Sequence, residues 1–434
     1  KASDLIVWDE QGRVLEGRGT LELSAQCIHA PIHRLTGARV VMHTHQTWAM
    51  ALNMLQDNRL LPASQTAALL DGQIAYDDDY TGLAAWTLQR TRVGNWIFHC
   101  HKPAHTWYGM RYTPENIDAP TGPEPMRHDV PHAIDGMGGL VIGVTVLPRE
   151  RDATRSAPDG RSEPQRVRVL AQERAGFYGT REGLGYVMRE GAAEPARDSI
   201  RIPGAPIVLT RGVPAEVTVV NHTSHATAVH WHGIEVESYY DGVAGWSGAG
   251  TRTAPVIAPN DSFIARFTPR RAGTFIYHTH VDDVYQLARG LYAPLIVLEP
   301  GERRDTSTDH VLMIAGAYES GRYVVALNGS TSPSPLELKA GVRHRVRIIN
   351  LTVDEEADVA WFASDDSSDS TLVSWRAIAK DGAALPDRMA TLRAARLHIA
   401  PGETYDFEVT PRAGDMRLQV SSRNPSILRV IARE

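Results

Sequence analysis

Within seven residues, His99 to His105, the chain places one thiol, Cys100, and three imidazoles, His99, His101 and His105, directly after the apolar run Asn95 to Phe98. That run reads as a strand, where successive side chains face opposite ways, so His99 and His101 project to one side and Cys100 to the other. A thiolate with two imidazoles and a weak thioether is the donor set of a blue-copper electron-transfer centre. Cys100 and His105 supply part of that set, and a methionine downstream can supply the thioether. The oppositely directed pair, His99 and His101, can hold a second copper centre, joined to the first by short covalent paths along one strand.

The spacing recurs. His230 and His232 in VHWHG, and His278 and His280 in TFIYHTH, stand two residues apart on strand-like runs. Imidazoles so spaced present their nitrogens to one face, and imidazole is a good copper ligand. Three strand pairs can therefore converge on one metal cluster. Other histidines read as exposed loop residues: His222 and His225 in NHTSH, and His128 and His132 in a proline-rich stretch.

The elements that must carry these pairs are strands. From about Arg90 onward, short Val, Ile, Thr and aromatic runs alternate with Gly, Pro, Asn and Asp, as in LVIGVTVL (Leu140 to Leu147), AEVTVV (Ala215 to Val220) and HRVRIINL (His344 to Leu351). Such texture suits sandwich or barrel domains. Polar breaks at 148–165 and 299–309 divide the region, and the proline-rich loop 112–131 belongs on the surface. The start differs: LIVWDEQGRVLEG reads as a hairpin, SAQCIHAPIHRL has helical apolar spacing, and the buried strand RVVMHTH is followed by helix-like TWAMALNML. The alternation is α/β and predicts a boundary between Thr81 and Thr91. The expected parts are 1–85, 86–150, 151–302 and 303–434.

A chain of 434 residues has room for several cores, and a net charge of -6 with 22% charged residues leaves no basic surface for nucleic acid. Only two cysteines occur, Cys27 and Cys100, which excludes a disulfide framework. No apolar run reaches membrane-span length, no signal peptide is visible, and the absence of an initiator methionine points to a fragment or processed chain.

Residues from about 87 to 434 resemble a multicopper oxidase, on HCHKPAH with a following Gly-Met, PGAPIVLTRG, VHWHG, YYDGVAGWSG, IAPNDSF, RAGTFIYHTH and GLYAPLIVLEPG. The resemblance implies a mainly β fold of tandem cupredoxin-like Greek-key β-barrels or sandwiches. It also implies a type 1 blue copper site that accepts single electrons, and a trinuclear copper cluster that reduces dioxygen to water. Carried over, Cys100 and His105 match blue-copper ligands, while His99, His101, His230, His232, His278 and His280 match cluster ligands, with His230 on the single copper. Met110 keeps the family's local spacing for the axial ligand; Met137 stands before the closing strand, as the family's Gly-Met does, and is slightly favoured. Asp241 matches an acidic residue near the single copper and suits a proton relay. The implied partners are dioxygen and a small-molecule or metal-ion reducing substrate, and the implied location is periplasmic or secreted. VVALNGSTSPSPLELKAGVRHRVRIINLT, in the last part, resembles the family's copper-free domain.

One family segment, His-Pro-x-His-x-His-Gly, is absent, and HAPIH (His29 to His33) has the wrong spacing to replace it. Its loss removes one imidazole from the blue site and two from the cluster, so an impaired oxidase or an inactive copper-binding remnant both follow. Residues 1–84 instead resemble part of a class II aldolase/adducin domain, on LIVWDEQGRVLEG, IHAPIHRLTGARVVMHTH and DGQIAYDDDYTGLA. That resemblance implies a zinc-dependent lyase, with His43 and His45 matching two zinc ligands. The third histidine, the glycine-rich phosphate loop and a glutamate near Ala25 are missing, and two imidazoles fall short of the usual three protein ligands of catalytic zinc.

Overall fold

The computed structural model describes residues 7–8, 14–16, 93–99, 106, 141–146, 163–189, 193–385, 387, 389–422 and 424–434. The chain divides into two compact units, one of Lys1–Pro62 with Thr66–Thr91 and one of Ala63–Gln65 with Arg92–Glu434. In the first, the described residues form a two-stranded ribbon, Val7–Trp8 antiparallel to Val14–Glu16, on the segment read as a hairpin. His43 and His45, and the predicted helices around them, lie outside the described residues.

The second unit is almost wholly β. Its first described strands, β1 (Gly94–His99) and β2 (Val141–Val146), pair antiparallel as a ribbon. A sandwich follows, made of β3 (Gln165–Tyr178), β4 (Arg181–Met188), β5 (Ile207–Thr210), β6 (Ala215–Asn221), β7 (Val229–His232), β8 (Gly248–Ala249), β9 (Arg252–Thr253), β10 (Ser262–Phe267), β11 (Gly273–Thr279), helix α1 (Asp283–Ala288) and β12 (Tyr292–Leu298). One sheet runs β10-β6-β3-β4 and the other β5-β12-β11-β7, while β8 and β9 extend the ribbon into a third sheet, β9-β8-β1-β2. The parallel pairs β3/β6 and β5/β12 require crossings between the sheets, as in a Greek key.

Alternation explains what each strand buries. Val169, Ala171, Val217 and Val219 from one sheet meet Trp231, Phe275, Tyr277, Leu295 and Val297 from the other in one core. All seven residues of β11 are buried, because both of its faces are covered. Phe275 and Tyr277 point into the sandwich core, whereas Ile276 joins a separate cluster with Leu287, Tyr292, Met313, Tyr323 and Ile349 that cements this sandwich to the next.

The last part of the chain forms a second sandwich. Asp309–Glu319, His344–Leu351, Thr404–Val409 and Ser374–Lys380 lead one sheet, and Ser426–Arg433, Gly414–Ser421 and Ala357–Phe362 lead the other. Trp361, Trp375, Phe407, Val346 and Leu418 fill its core. Two tandem cupredoxin-like sandwiches thus follow the ribbon in the β region. Among the described residues no helix is long and apolar enough to cross a membrane.

Candidate metal centre

The centre forms where β7 and β11 lie side by side. Trp231 and Val229 turn into the core, so the alternation turns His230 and His232 to the opposite face. Register then sets partners: His230 stands directly across from His278, and His232 across from Ile276. The ring centroids of His230 lie 5.6 Å from His232, 5.3 Å from His278 and 5.3 Å from His280. One ligand nitrogen from each of His230, His232 and His278 lies within 4.8 Å of the others. A metal with bonds of about 2.0–2.1 Å spans nitrogens up to roughly 4 Å apart, so small rotations bring such donors onto an ion or a closely spaced pair.

Outer contacts orient the rings. His230 Nδ1 lies 2.7 Å from the Asp241 carbonyl oxygen, and His278 Nδ1 lies 2.6 Å from that of Thr279. A carbonyl only accepts, so each Nδ1 donates and each Nε2 carries the lone pair that binds metal. His232 presents Nδ1, 3.4 Å from His278 Nε2. Behind the strands, buried Gln286 accepts from the hydroxyls of Thr227 and Thr279 through Oε1, at 2.8 and 2.6 Å, and donates through Nε2 to the Ala226 carbonyl. Neutral nitrogen donors from three side chains, with two tautomers fixed by main-chain carbonyls, fit copper.

Two acids flank the rings, Asp283 buried and Asp241 partly so. Asp241 Oδ1 stands 3.5 Å from His230 Nδ1, and burial raises its carboxyl above the ordinary range although His230 and Ser247 act the other way. Gly242 beside it has φ +90°, and a Cβ there would collide with the Val229 carbonyl, so the Asp-Gly pair is also the turn that presses this loop on β7. Asp283, in the first turn of α1, places Oδ2 3.9 Å from His280 Nδ1; burial first, and the charge of Asp282 second, push its carboxyl well up.

The third histidine pair is described only in part. His99, at the end of β1, lies with its ring 6.1 Å from that of His280, edge to face. Cys100, His101, His105, Met110 and Met137 lie outside the described residues, as do His128 and His132. His222 and His225 depart from the expectation of exposed loop residues. Both are half-buried, because the Asn221 side chain ties the loop by donating to the carbonyls of His225 and Ile257, and the His225 ring packs edge-on to Tyr285 at 5.7 Å. Sequence reasoning did not single out Gln286, which lacks any spacing signal, or Asp283, although the acidic pair after HTH is visible in the sequence.

Paired imidazoles on adjacent strands of the sandwich thus form a candidate metal centre. Residues 199–302 match the family model described as Multicopper oxidase, and residues 1–93 match that of the Class II Aldolase and Adducin N-terminal domain. The chain is thus similar to multicopper oxidases, a family that uses copper, over 199–302, and to class II aldolases and adducins over 1–93. It is 35% identical over 115 residues to the copper resistance protein A homolog of Pseudomonas syringae pv. tomato, covering 26% of this chain and 18% of that protein. It is 26% identical over 195 residues to Laccase-2 of Pleurotus ostreatus, covering 38% of this chain and 35% of that one. The chain therefore spans only a minor part of either relative. Among solved structures, the multi-copper oxidase from Pseudomonas Thermotolerans superposes with TM-score 0.47 at 20% identity, over 63% of this chain and 64% of that one. The blue copper oxidase from Nitrosomonas europaea gives 0.46 at 21%, over 62% and 86%.

Proposed function

We infer that this chain is a copper-binding oxidoreductase of the multicopper oxidase type, coupling one-electron oxidation of a small-molecule or metal-ion donor to reduction of dioxygen to water. The observation that carries the reading is the convergence of His230, His232 and His278, nitrogens within 4.8 Å, on a segment that matches the multicopper oxidase model. Copper bound there supplies reversible one-electron chemistry and a route for electrons to dioxygen. His230, His232, His278 and His280, with His99 and His101 from the preceding part, are the proposed cluster ligands. Cys100 and His105, with Met137 or Met110 as axial thioether, are the proposed blue-site ligands. The parts bearing them are taken as 86–150 and 151–302, with 303–434 as a copper-free scaffold.

The residues around the ligands have separate tasks. The Asp241 carbonyl holds the His230 ring, while its carboxyl, raised by burial and 3.5 Å from His230 Nδ1, is placed to relay protons to a reaction that consumes them. Trp231, Phe275 and Tyr277 pack the core behind the ligand strands and exclude water from that side. Metal analysis with an optical spectrum tests the proposal. Copper-loaded protein should retain copper and show an intense blue band that disappears in Cys100→Ser; retention of zinc in preference to copper, or a spectrum indifferent to Cys100→Ser, would overturn it.

A further inference from the structure

The loop 238–248 touches both halves of the candidate centre. On one side, its Asp241 carbonyl fixes His230. On the other, it grips the ribbon that carries His99. Ser238 Oγ donates to the Asn95 carbonyl at 2.5 Å and accepts from Gly248 N at 2.8 Å. Trp246 Nε1 donates to the Trp96 carbonyl at 3.1 Å, and Asn95 Nδ2 donates to the Trp246 carbonyl at 3.0 Å. Gly248 pairs with Asn95 as a strand partner.

The fit is steric as well as polar. The Trp246 ring lies over Gly143 of β2, where a Cβ would come within 2.7 Å of Trp246 Cζ2. Gly94, at φ +135°, has no room for a side chain against Ser238. The loop is itself fastened to the sandwich, since Gly245 N donates to the Ala254 carbonyl at 2.8 Å and Ala254 N to the Ser247 carbonyl at 2.6 Å. Three residues beyond the gripped Trp96, His99 reaches His280.

We propose that Ser238 and Trp246 are positioning residues for His99, and that this single loop couples docking of the Cys100 ribbon to metal coordination by the sandwich. The inference rests on the copper reading above and adds its assembly step. Docking presents His99 beside His280, and metal shared between them holds the ribbon down. Binding and docking are one linked equilibrium.

A mutant cycle on the full chain tests the coupling, with copper(II) affinity measured by chelator competition and bound nitrogens followed by electron paramagnetic resonance. In the native background, His99→Ala should weaken copper binding by about 10-fold, the scale on which ligand-shell changes act. With Trp246→Phe, which removes the Nε1 donor, or Gly143→Val, which pushes the ring from the ribbon side alone, the same His99→Ala should change affinity by less than about 2-fold. His232→Ala should still weaken binding about 10-fold in every background, which reports an intact sandwich. A His99→Ala effect that is absent from the native chain, or undiminished in both variants, overturns the coupling. Copper binding indifferent to His232 in the native chain would instead count against the metal centre itself.

Discussion

Arg347 offers the sharpest energetic test of how the ligand strand β11 is anchored. It is fully buried and donates to Asp309 Oδ1 and Oδ2 at 2.7 and 2.6 Å, to Asp406 Oδ2 at 3.0 Å and to the hydroxyl of Thr274 at 2.7 Å. Thr274 belongs to β11, on the face that later bears His278, so the same strand starts in an ionic cluster with the second sandwich and ends at the metal centre. Arg347→Met keeps length and apolar volume but takes the shared guanidinium away from two buried carboxylates. Breaking a buried pair from one side costs about 3–5 kcal/mol. Arg345 still holds Asp406 at 2.8 Å, and Arg304 stands 3.5 Å from Asp309, so the low end, about 3 kcal/mol, is expected. At about 2–4 °C per kcal/mol for a body of this size, the melting temperature should fall by roughly 6–12 °C in calorimetry at pH 7. Burial pushes Asp309 up, but Arg347 holds its carboxyl below the ordinary range, so in the native chain its contribution is present at neutral pH and lost in acid. Without Arg347 the sign reverses: the buried carboxyl resists ionising, and the deficit should shrink as pH falls from 7 toward 5. Adding Asp309→Asn to Arg347→Met should recover part of the loss. A loss under about 1 kcal/mol, or no recovery in the double variant, would refute this account of the cluster.

Two further outcomes follow from charged groups elsewhere. His310 Nε2 lies 3.0 Å from Nδ1 of fully buried His344, and burial first, then the charge of His344 and of Arg304, push His310 down to about 4 against the pull of Asp309 and Asp305. A depressed imidazole means the unfolded chain binds the extra proton, so stability should decline as pH falls from 6.5 toward 4, by about 1–2 kcal/mol once partial exposure is discounted. Chemical denaturation across that window should show the slope flattened in His310→Gln; an equal slope in both proteins would contradict the assignment. Asp241→Asn leaves the backbone carbonyl on His230 in place, so copper content should stay native while dioxygen consumption slows by about 100-fold. Oxygen-electrode rates equal to those of the unsubstituted protein would remove Asp241 from the proton path.

What the sequence disclosed, and what it withheld, divides along local and distant information. The i, i+2 pairs His230/His232 and His278/His280 are local, and with Trp231 inside the first pair and Tyr277 just before the second the alternation declares which side chains leave the core. Their register, His230 opposite His278, depends on strand pairing across the sandwich and has no local signal. Asp241 was legible as an acid near a ligand, but the contact that holds His230 most closely is its backbone carbonyl, which any residue could supply. The misjudged pair, His222 and His225, sits in a polar run whose burial follows from one asparagine reaching across the loop. HRVRIINL announced a strand, while the partners of Arg347 lie on other strands far along the chain.

The two proposed copper centres do not depend equally on what this chain contains. His230, His232, His278 and His280 come from one sandwich whose two sheets and core are described from β3 to β12, and their orientation relies on Asp241, Thr279 and Gln286 within it. The proposed blue-site ligands Cys100 and His105 follow β1 in the sequence and lie outside the described residues. The grip of Ser238 and Trp246 holds β1, whose last residue is His99. Copper content therefore reports on the sandwich ligands and the blue band on Cys100, so the two readouts test different parts of the proposal.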